Sequence, residues 1–169
     1  ENSIKNTIPE IKSVTAKKKF PDKLEIETTL HEATIGWETQ NKKYLLNEEG
    51  YILKETDNLD GFLTVKDATN LPLENNNQVV YANFINFCKQ VNDKTASMGI
   101  KIQYLEIKET TFIVNAYTEG GYRIIFNTTK SIEDQITKLT ETVNFLAGNI
   151  NKLEYVDVTV KNKAVYKLR

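Results

Sequence analysis

Two hairpin patterns follow one another between residues 14 and 50, and they constrain the fold of this 169-residue chain more than any other feature. In the first, Pro21-Asp22 supplies the fixed φ and the side-chain acceptor of a tight turn between two runs of alternating apolar residues. In the second, Tyr44–Leu46 leads through a polar turn at 47–50 to a returning apolar run at 51–53. The two patterns predict antiparallel sheet.

The first hairpin is predicted to have one apolar and one polar face, because successive side chains of a strand point to opposite sides of a sheet. Glu25 and Glu27 are expected on the solvent face. The expected apolar face consists of Val14, Ala16, Leu24, Ile26 and Leu30. Upstream of it, residues 3–12 carry isoleucines at helical spacing and are predicted to form the end of a helix.

Two helices are predicted from apolar residues that recur at helical spacing. The first lies between Gln78 and Ser97, with the stripe Val80, Phe84, Phe87 and Val91. The second runs from Ile132 to Leu146, with Ser131 as its N-cap, acidic residues in its first turn and Gly148 at its end. Packing of both stripes on the chain's own sheet is the expected arrangement.

The remaining segments are predicted to be strands. Ile100–Ile107 precedes a hairpin formed by Phe112–Tyr117 and Tyr122–Phe126, and the glycine pair of its turn suits a primed turn. A last hairpin pairs 155–160 with 164–168. The polar segment 54–77 is expected to be a long connection with a short strand around 62–65. The whole order predicts an α+β fold, a mostly antiparallel sheet with two main helices packed on it.

Composition and charge give little indication of a catalytic or cofactor-binding site. With 22 basic and 23 acidic residues, the chain has no general attraction for polyanions, and no nucleic-acid partner is expected. Cys88 and His31 are the only cysteine and histidine, which argues against a zinc site, a disulfide and a Cys–His or Ser–His nucleophile. No phosphate-binding glycine loop or nucleophile elbow occurs. We therefore expect neither a cofactor nor enzymatic activity. The number of acidic residues alone does not exclude a hydrolase that uses a pair of carboxylates.

A sheet protein without catalytic residues most often works by offering a surface, and an edge strand is the favoured place. Its unpaired N–H and C=O groups accept a partner strand, and alternate side chains give selectivity. The last strand of the chain is the obvious candidate. Substitutions at Val160, Ala164 or Tyr166 are therefore expected to weaken the binding of a partner.

Three blocks of the sequence resemble the extracytoplasmic region of the bacterial cell-division family FtsQ, also called DivIB. Residues 8–26, with Pro21-Asp22, resemble the last helix and last two strands of the family's POTRA domain. Trp37 and the run 44–50 are similar to the opening of its β domain, and 121–158 resembles the close of that domain. The resemblance implies a partial POTRA-like unit at 1–32 and a β domain at 33–169.

The resemblance also implies a function and a location. Proteins of this family are non-enzymatic scaffolds of the divisome, held by one N-terminal transmembrane helix at the extracytoplasmic face of the bacterial cytoplasmic membrane. They recruit the partners FtsB and FtsL, and FtsB would add a strand beside the last strand of the β domain. Carried onto this chain, the partner-binding positions are Tyr155, Val158, Val160, Asn162, Ala164 and Tyr166.

Two other interpretations stay open at the level of sequence. The first is a POTRA-containing secretion or outer-membrane assembly factor, although residues 54–169 do not repeat residues 1–53 as a POTRA array would. The second is a small hydrolase, which would need two acidic side chains in a concave pocket.

Overall fold

A computed structural model describes residues 11–69, 73 and 78–169 of the chain, and it has an α+β fold as the sequence predicts. Within the described residues, eleven strands form a two-stranded and a nine-stranded sheet. The strands are β1 (Ile11–Lys19), β2 (Lys23–Leu30), β3 (Ile35–Thr39), β4 (Lys42–Leu46), β5 (Ile52–Glu55), β6 (Thr64–Asp67), β7 (Ile102–Ile107), β8 (Ile113–Thr118), β9 (Arg123–Asn127), β10 (Leu153–Asp157) and β11 (Val165–Leu168). The helices are α1 (Ala82–Ser97) and α2 (Ile132–Leu146), and the 3-10 turn Ala147–Lys152 follows α2.

The nine-stranded sheet has the order β11-β10-β9-β8-β7-β6-β3-β4-β5. Most neighbours in it are antiparallel, but β3 with β6, β6 with β7, and β9 with β10 are parallel. Helices α1 and α2 lie in the connections that lead into β7 and β10. This is expected because neighbouring parallel strands need a long crossover, which is usually a helix.

The core lies between the sheet and the two helices. Phe84, Phe87, Cys88 and Val91 of α1 are buried against strand residues that include Trp37 and Leu105. Ser131 caps α2 as predicted, since its side chain accepts a hydrogen bond from the Asp134 N–H. The opposite face of the sheet carries half-buried polar and aromatic side chains, among them the stacked rings of Tyr104 and Tyr117, with centroids 4.7 Å apart.

The first hairpin, β1–β2, forms the small sheet, and its register matches the predicted faces. Ala16 pairs with Ile26 on one face, while Lys17 pairs with Glu25 on the other. The apolar face is not covered by the described residues, however. Leu24 is 65% exposed and Ile26 is 51% exposed, whereas Val14 is buried. The sequence predicts the end of a helix at 3–12. Residues 3–10 of this range lie outside the described residues, and residues 11 and 12 belong to strand β1.

Several predicted boundaries were wrong by a few residues. The short strand expected at 62–65 is β6, which begins at Thr64 and extends to Asp67. Helix α1 lies between Gln78 and Ser97 as predicted, and it begins at Ala82. The last hairpin is also shorter than predicted, since β10 ends at Asp157 and β11 begins at Val165. No helix in the described ranges is long and apolar enough to cross a membrane.

Candidate partner-binding edge

Strand β11 is an edge of the nine-stranded sheet, as predicted for the end of the chain. It pairs with β10 on one side, and among the described residues no strand pairs with its other side. All four of its residues are exposed. An edge of this kind presents unpaired backbone N–H and C=O groups to another strand.

The backbone direction of this edge follows from one hydrogen bond. The N–H of Arg169 donates to the carbonyl of Lys152 at 2.8 Å, on the β10 side. Because successive N–H groups of a strand point to opposite sides, the N–H groups of Leu168 and Tyr166 point outward and that of Lys167 points toward β10. An incoming strand would therefore meet donors at positions 166 and 168.

The side chains beside this edge form an apolar surface on the helix side of the sheet. Tyr166 lies opposite Val156, which is fully buried, and so points to the side of the helices. Its ring centroid lies 6.5 Å from that of Phe145 on α2, which is 76% exposed. Leu168, on the same face as Tyr166, is 41% exposed. Exposed apolar groups next to a free edge are typical of interaction surfaces.

The six predicted partner-binding residues fall into different environments. Tyr166 and Asn162 are exposed, whereas Tyr155, Val160 and Ala164 are half-buried. Tyr155 lies on the open face of the sheet, where the guanidinium of Arg123 is 5.5 Å from the centre of its ring. Ala164 packs against the core. Of the six, only Tyr166 lies on the edge strand itself.

Val158 requires a correction, because its side chain is fully buried in the core and cannot contact a partner. The chain does not turn outward after β10. Instead, the Val158 N–H donates to the Ile125 carbonyl at 3.2 Å, so the residue stays beside β9. The predicted strand reached residue 160, but β10 ends at Asp157, and the side chain of Val158 beyond it is covered by the core.

Two lysines bind the connection from β10 to β11: Lys138 on helix α2, and Lys130 just before that helix. Lys138 Nζ donates to the carbonyl of Val160 at 2.7 Å and also to that of Val158. Lys130 Nζ donates to the Thr159 carbonyl at 2.7 Å. Burial, and then the neighbouring charge of Lys130, lowers the pKa of Lys138. These contacts fix the path of the chain into the edge strand.

The far end of β11 is held by contacts to neighbouring strands. The Arg169 guanidinium donates to the Gly121 carbonyl in the β8–β9 turn. Lys167 and Glu154 form an ion pair at 2.7 Å on neighbouring strands, which raises the pKa of Lys167. The pair is exposed, so its contribution to stability is small. Together the two contacts order the end of the edge strand.

The opposite edge of the sheet, β5, is partly covered. Tyr51 forms an antiparallel bridge with Gln78, and the Val79 N–H donates to the Gly50 carbonyl at 2.9 Å. Its last two residues, Lys54 and Glu55, are charged and exposed. Charges and a covering segment are the usual protection of an edge against pairing. Of the two edges, β11 is therefore the better one for a partner.

Potential metal ligands do not gather in the described ranges. No group of three or more His, Cys, Asp or Glu side chains there could hold a metal ion. The Cys88 thiol is completely buried in the core, and burial raises its pKa well above the ordinary value of 9.0. A buried, protonated thiol is a poor nucleophile.

Phe145 is the residue of this surface that the sequence reasoning missed. The predicted stripe of α2 contains Leu146 but not its neighbour Phe145. A large aromatic residue off the buried stripe of an amphipathic helix is a usable signal, because exposed aromatic side chains are enriched at interfaces.

Neither a scan against protein-family models nor a search of the curated proteins finds a match for this chain.

Proposed function

We propose that this chain is a non-enzymatic scaffold that binds an extended segment of a partner protein by strand addition at the outer edge of β11. In this proposal the chain is the extracytoplasmic part of a divisome protein of the FtsQ/DivIB type. Its partners are FtsB-type and FtsL-type proteins. The parent protein would be held in the bacterial cytoplasmic membrane by a helix that precedes this segment.

The observation that carries the proposal is the outer edge of β11, with which no described strand pairs, beside the exposed rings of Phe145 and Tyr166. A bound strand would accept hydrogen bonds from the outward N–H groups at 166 and 168, which gives affinity without sequence specificity. Its alternate side chains would pack on Phe145, Tyr166 and Leu168, which gives selectivity.

The attachment of β11 also supports the proposal. The contacts of Lys138 to the carbonyls of residues 158 and 160 and that of Arg169 to Gly121 hold both ends of the strand before a partner arrives. An edge that is already ordered loses less conformational entropy on binding than a flexible one. The surface is therefore suited to a partner segment that itself becomes ordered on binding.

The test is a calorimetric titration of this protein with the extracytoplasmic regions of the FtsB-type and FtsL-type proteins of the same organism. We expect saturable binding of the FtsB-type region with a Kd of about 10 μM or tighter. A scrambled FtsB-type sequence of the same composition is the control. Absence of binding at about 100 μM, with a protein shown to be folded by circular dichroism, would contradict the proposal.

A further inference from the structure

A cavity of about 570 Å³ opens beside the carboxyl ends of β6 and β7, far along the sheet from the β11 edge. It lies between Asp67, the segment 78–81 and the loop 107–112. Its volume is within the range of small-molecule pockets, about 300 to 1,000 Å³. In sheets with parallel strands, ligands commonly bind outside the carboxyl ends of those strands.

Strand β3 carries two buried polar atoms, Trp37 Nε1 and Thr39 Oγ1. Neither has a hydrogen-bond partner in the described part of the protein. Trp37 lines the cavity although it is only 1% exposed. The parallel register places Thr39 beside Asp67, and Asp67 beside Ile107, at the ends of three neighbouring strands. Buried polar groups without partners are rare in folded proteins, and they are costly unless something binds them.

The charged side chains in the described lining of the cavity are all negative. Its described lining contains the carboxylates of Asp67 and Glu109 and neither lysine nor arginine. Asp67 Oδ1 accepts from the backbone N–H of Thr69 at 2.9 Å and from its hydroxyl at 2.6 Å. Both bonds use the same oxygen, so the described residues leave Oδ2 for a ligand. The acidic groups favour a cation.

The rest of the lining is suited to an apolar stem. Val79, Ile107 and Phe112 line the cavity, and Phe112 is 57% exposed at its rim. The indole of Trp37 is held by an edge contact with Phe84, whose ring centroid lies 6.0 Å away. The cavity thus combines apolar walls, two carboxylates and the indole of Trp37.

We propose that this cavity binds an alkylammonium group on an apolar stem, such as the side chain of a lysine in a peptide. The ammonium group pairs with Asp67 and Glu109, and the stem packs against Ile107 and Phe112. In a peptide, a backbone carbonyl next to the stem accepts from Trp37 Nε1–H. A free alkylamine has the same cation and stem but no such carbonyl.

Trp37 is the only tryptophan of the chain, so its indole N–H gives a single signal in a ¹H–¹⁵N spectrum of the labelled protein. The probes are N-acetyl-lysine methylamide and n-butylamine. We expect the lysine derivative to shift this signal in a saturable way, with a Kd of about 1 mM or tighter. If the lysine derivative binds more tightly than butylamine, the alkylammonium group belongs to a peptide. If the two bind equally, it belongs to a free amine.

Three variants locate the binding site. Asp67→Asn keeps the oxygen that accepts from Thr69 and removes the charge, and Glu109→Gln changes an exposed residue. Each is expected to weaken binding about tenfold. Glu38→Gln, at the neighbouring position of β3 that points to the opposite face, is the matched control and is expected to leave the Kd unchanged.

Two results would overturn this inference. One is the absence of a saturable shift of the indole signal with either amine. The other is equally tight binding of uncharged N-acetyl-norleucine methylamide, because the carboxylates would then have no role. Since Glu109 is exposed, Glu109→Gln keeps the test valid even if Asp67→Asn does not fold.

Discussion

The ring of Tyr166 on the edge strand lies 6.5 Å from the ring of Phe145 on helix α2, and the two rings border the outward edge of β11. This relationship joins an element at the end of the sequence to the last turn of a helix some twenty residues earlier. It makes the edge an apolar surface in addition to a row of backbone groups.

Phe145→Ser is expected to weaken the binding of the FtsB-type region about tenfold or more, because central aromatic side chains carry much of the energy of an interface. Stability should change by less than about 0.5 kcal/mol, because Phe145 is 76% exposed. Calorimetry and urea unfolding measure the two effects. Phe20→Ser, at a phenylalanine in the β1–β2 turn that is 95% exposed, is the control. An equal loss of affinity in both variants would count against the surface.

Lys138→Met is expected to lower the free energy of unfolding by about 1 to 3 kcal/mol, because it leaves the carbonyls of Val158 and Val160 without their ammonium donor. Methionine keeps most of the apolar stem, so little packing is lost. Urea unfolding measures the change, and Lys161→Met at an exposed position of the same connection is the control. Equal stability of Lys138→Met and wild type would show that these bonds do not hold the connection.

Gln135→Leu is expected to destabilise the protein by about 1 to 3 kcal/mol. The buried Gln135 side chain accepts from the Asn127 N–H at 2.7 Å and donates to the Asn127 carbonyl at 2.9 Å. Leucine would leave this N–H unpaired and would leave the carbonyl only the bond from the Lys130 N–H at 3.3 Å. Gln90→Leu, at a half-buried glutamine of α1, is the matched control. If both variants unfolded at the same urea concentration, the pairing of Gln135 with Asn127 would have no energetic role.

The pH dependence of stability tests the environment of Cys88. Burial raises the pKa of its thiol in the folded state above the ordinary value of 9.0, so above about pH 9 the unfolded chain binds fewer protons than the folded one. The free energy of unfolding should therefore fall as the pH rises through that region. In Cys88→Ala, the free energy of unfolding should fall less than in the wild type when each protein is compared with its own value at pH 7. An identical slope in the two proteins would contradict the assignment.

The α+β fold was predictable because its signals are local. The two hairpin patterns between residues 14 and 50, the stripes of α1 and α2, and the Ser131 cap each depend on residues close together in sequence. The parallel pairing of β9 with β10 depends instead on a crossover through α2, and no periodicity encodes it. The order of the strands therefore had to come from the structure.

The partner-binding edge was also predictable in part, because the signals that define its strand are local in sequence. The last strand of the chain lies at an edge, and Tyr166 lies on it as expected. Val158 was wrongly given as a partner-binding residue, because the resemblance that implied it does not show which side chains the core of this chain covers. Phe145 was missed, because its proximity to Tyr166 results from the packing of α2 beside β11.

The most direct measurement of strand addition compares two variants of the same residue, Tyr166→Pro and Tyr166→Val, by calorimetric titration with the FtsB-type region. Both remove the ring, but only proline removes the outward N–H at position 166, and an edge strand tolerates it there because the pairing with β10 does not use that N–H. We predict that Tyr166→Val keeps measurable affinity and that Tyr166→Pro, with an unchanged urea midpoint, loses at least another tenfold. Equal affinity of the two folded variants would contradict strand addition at β11.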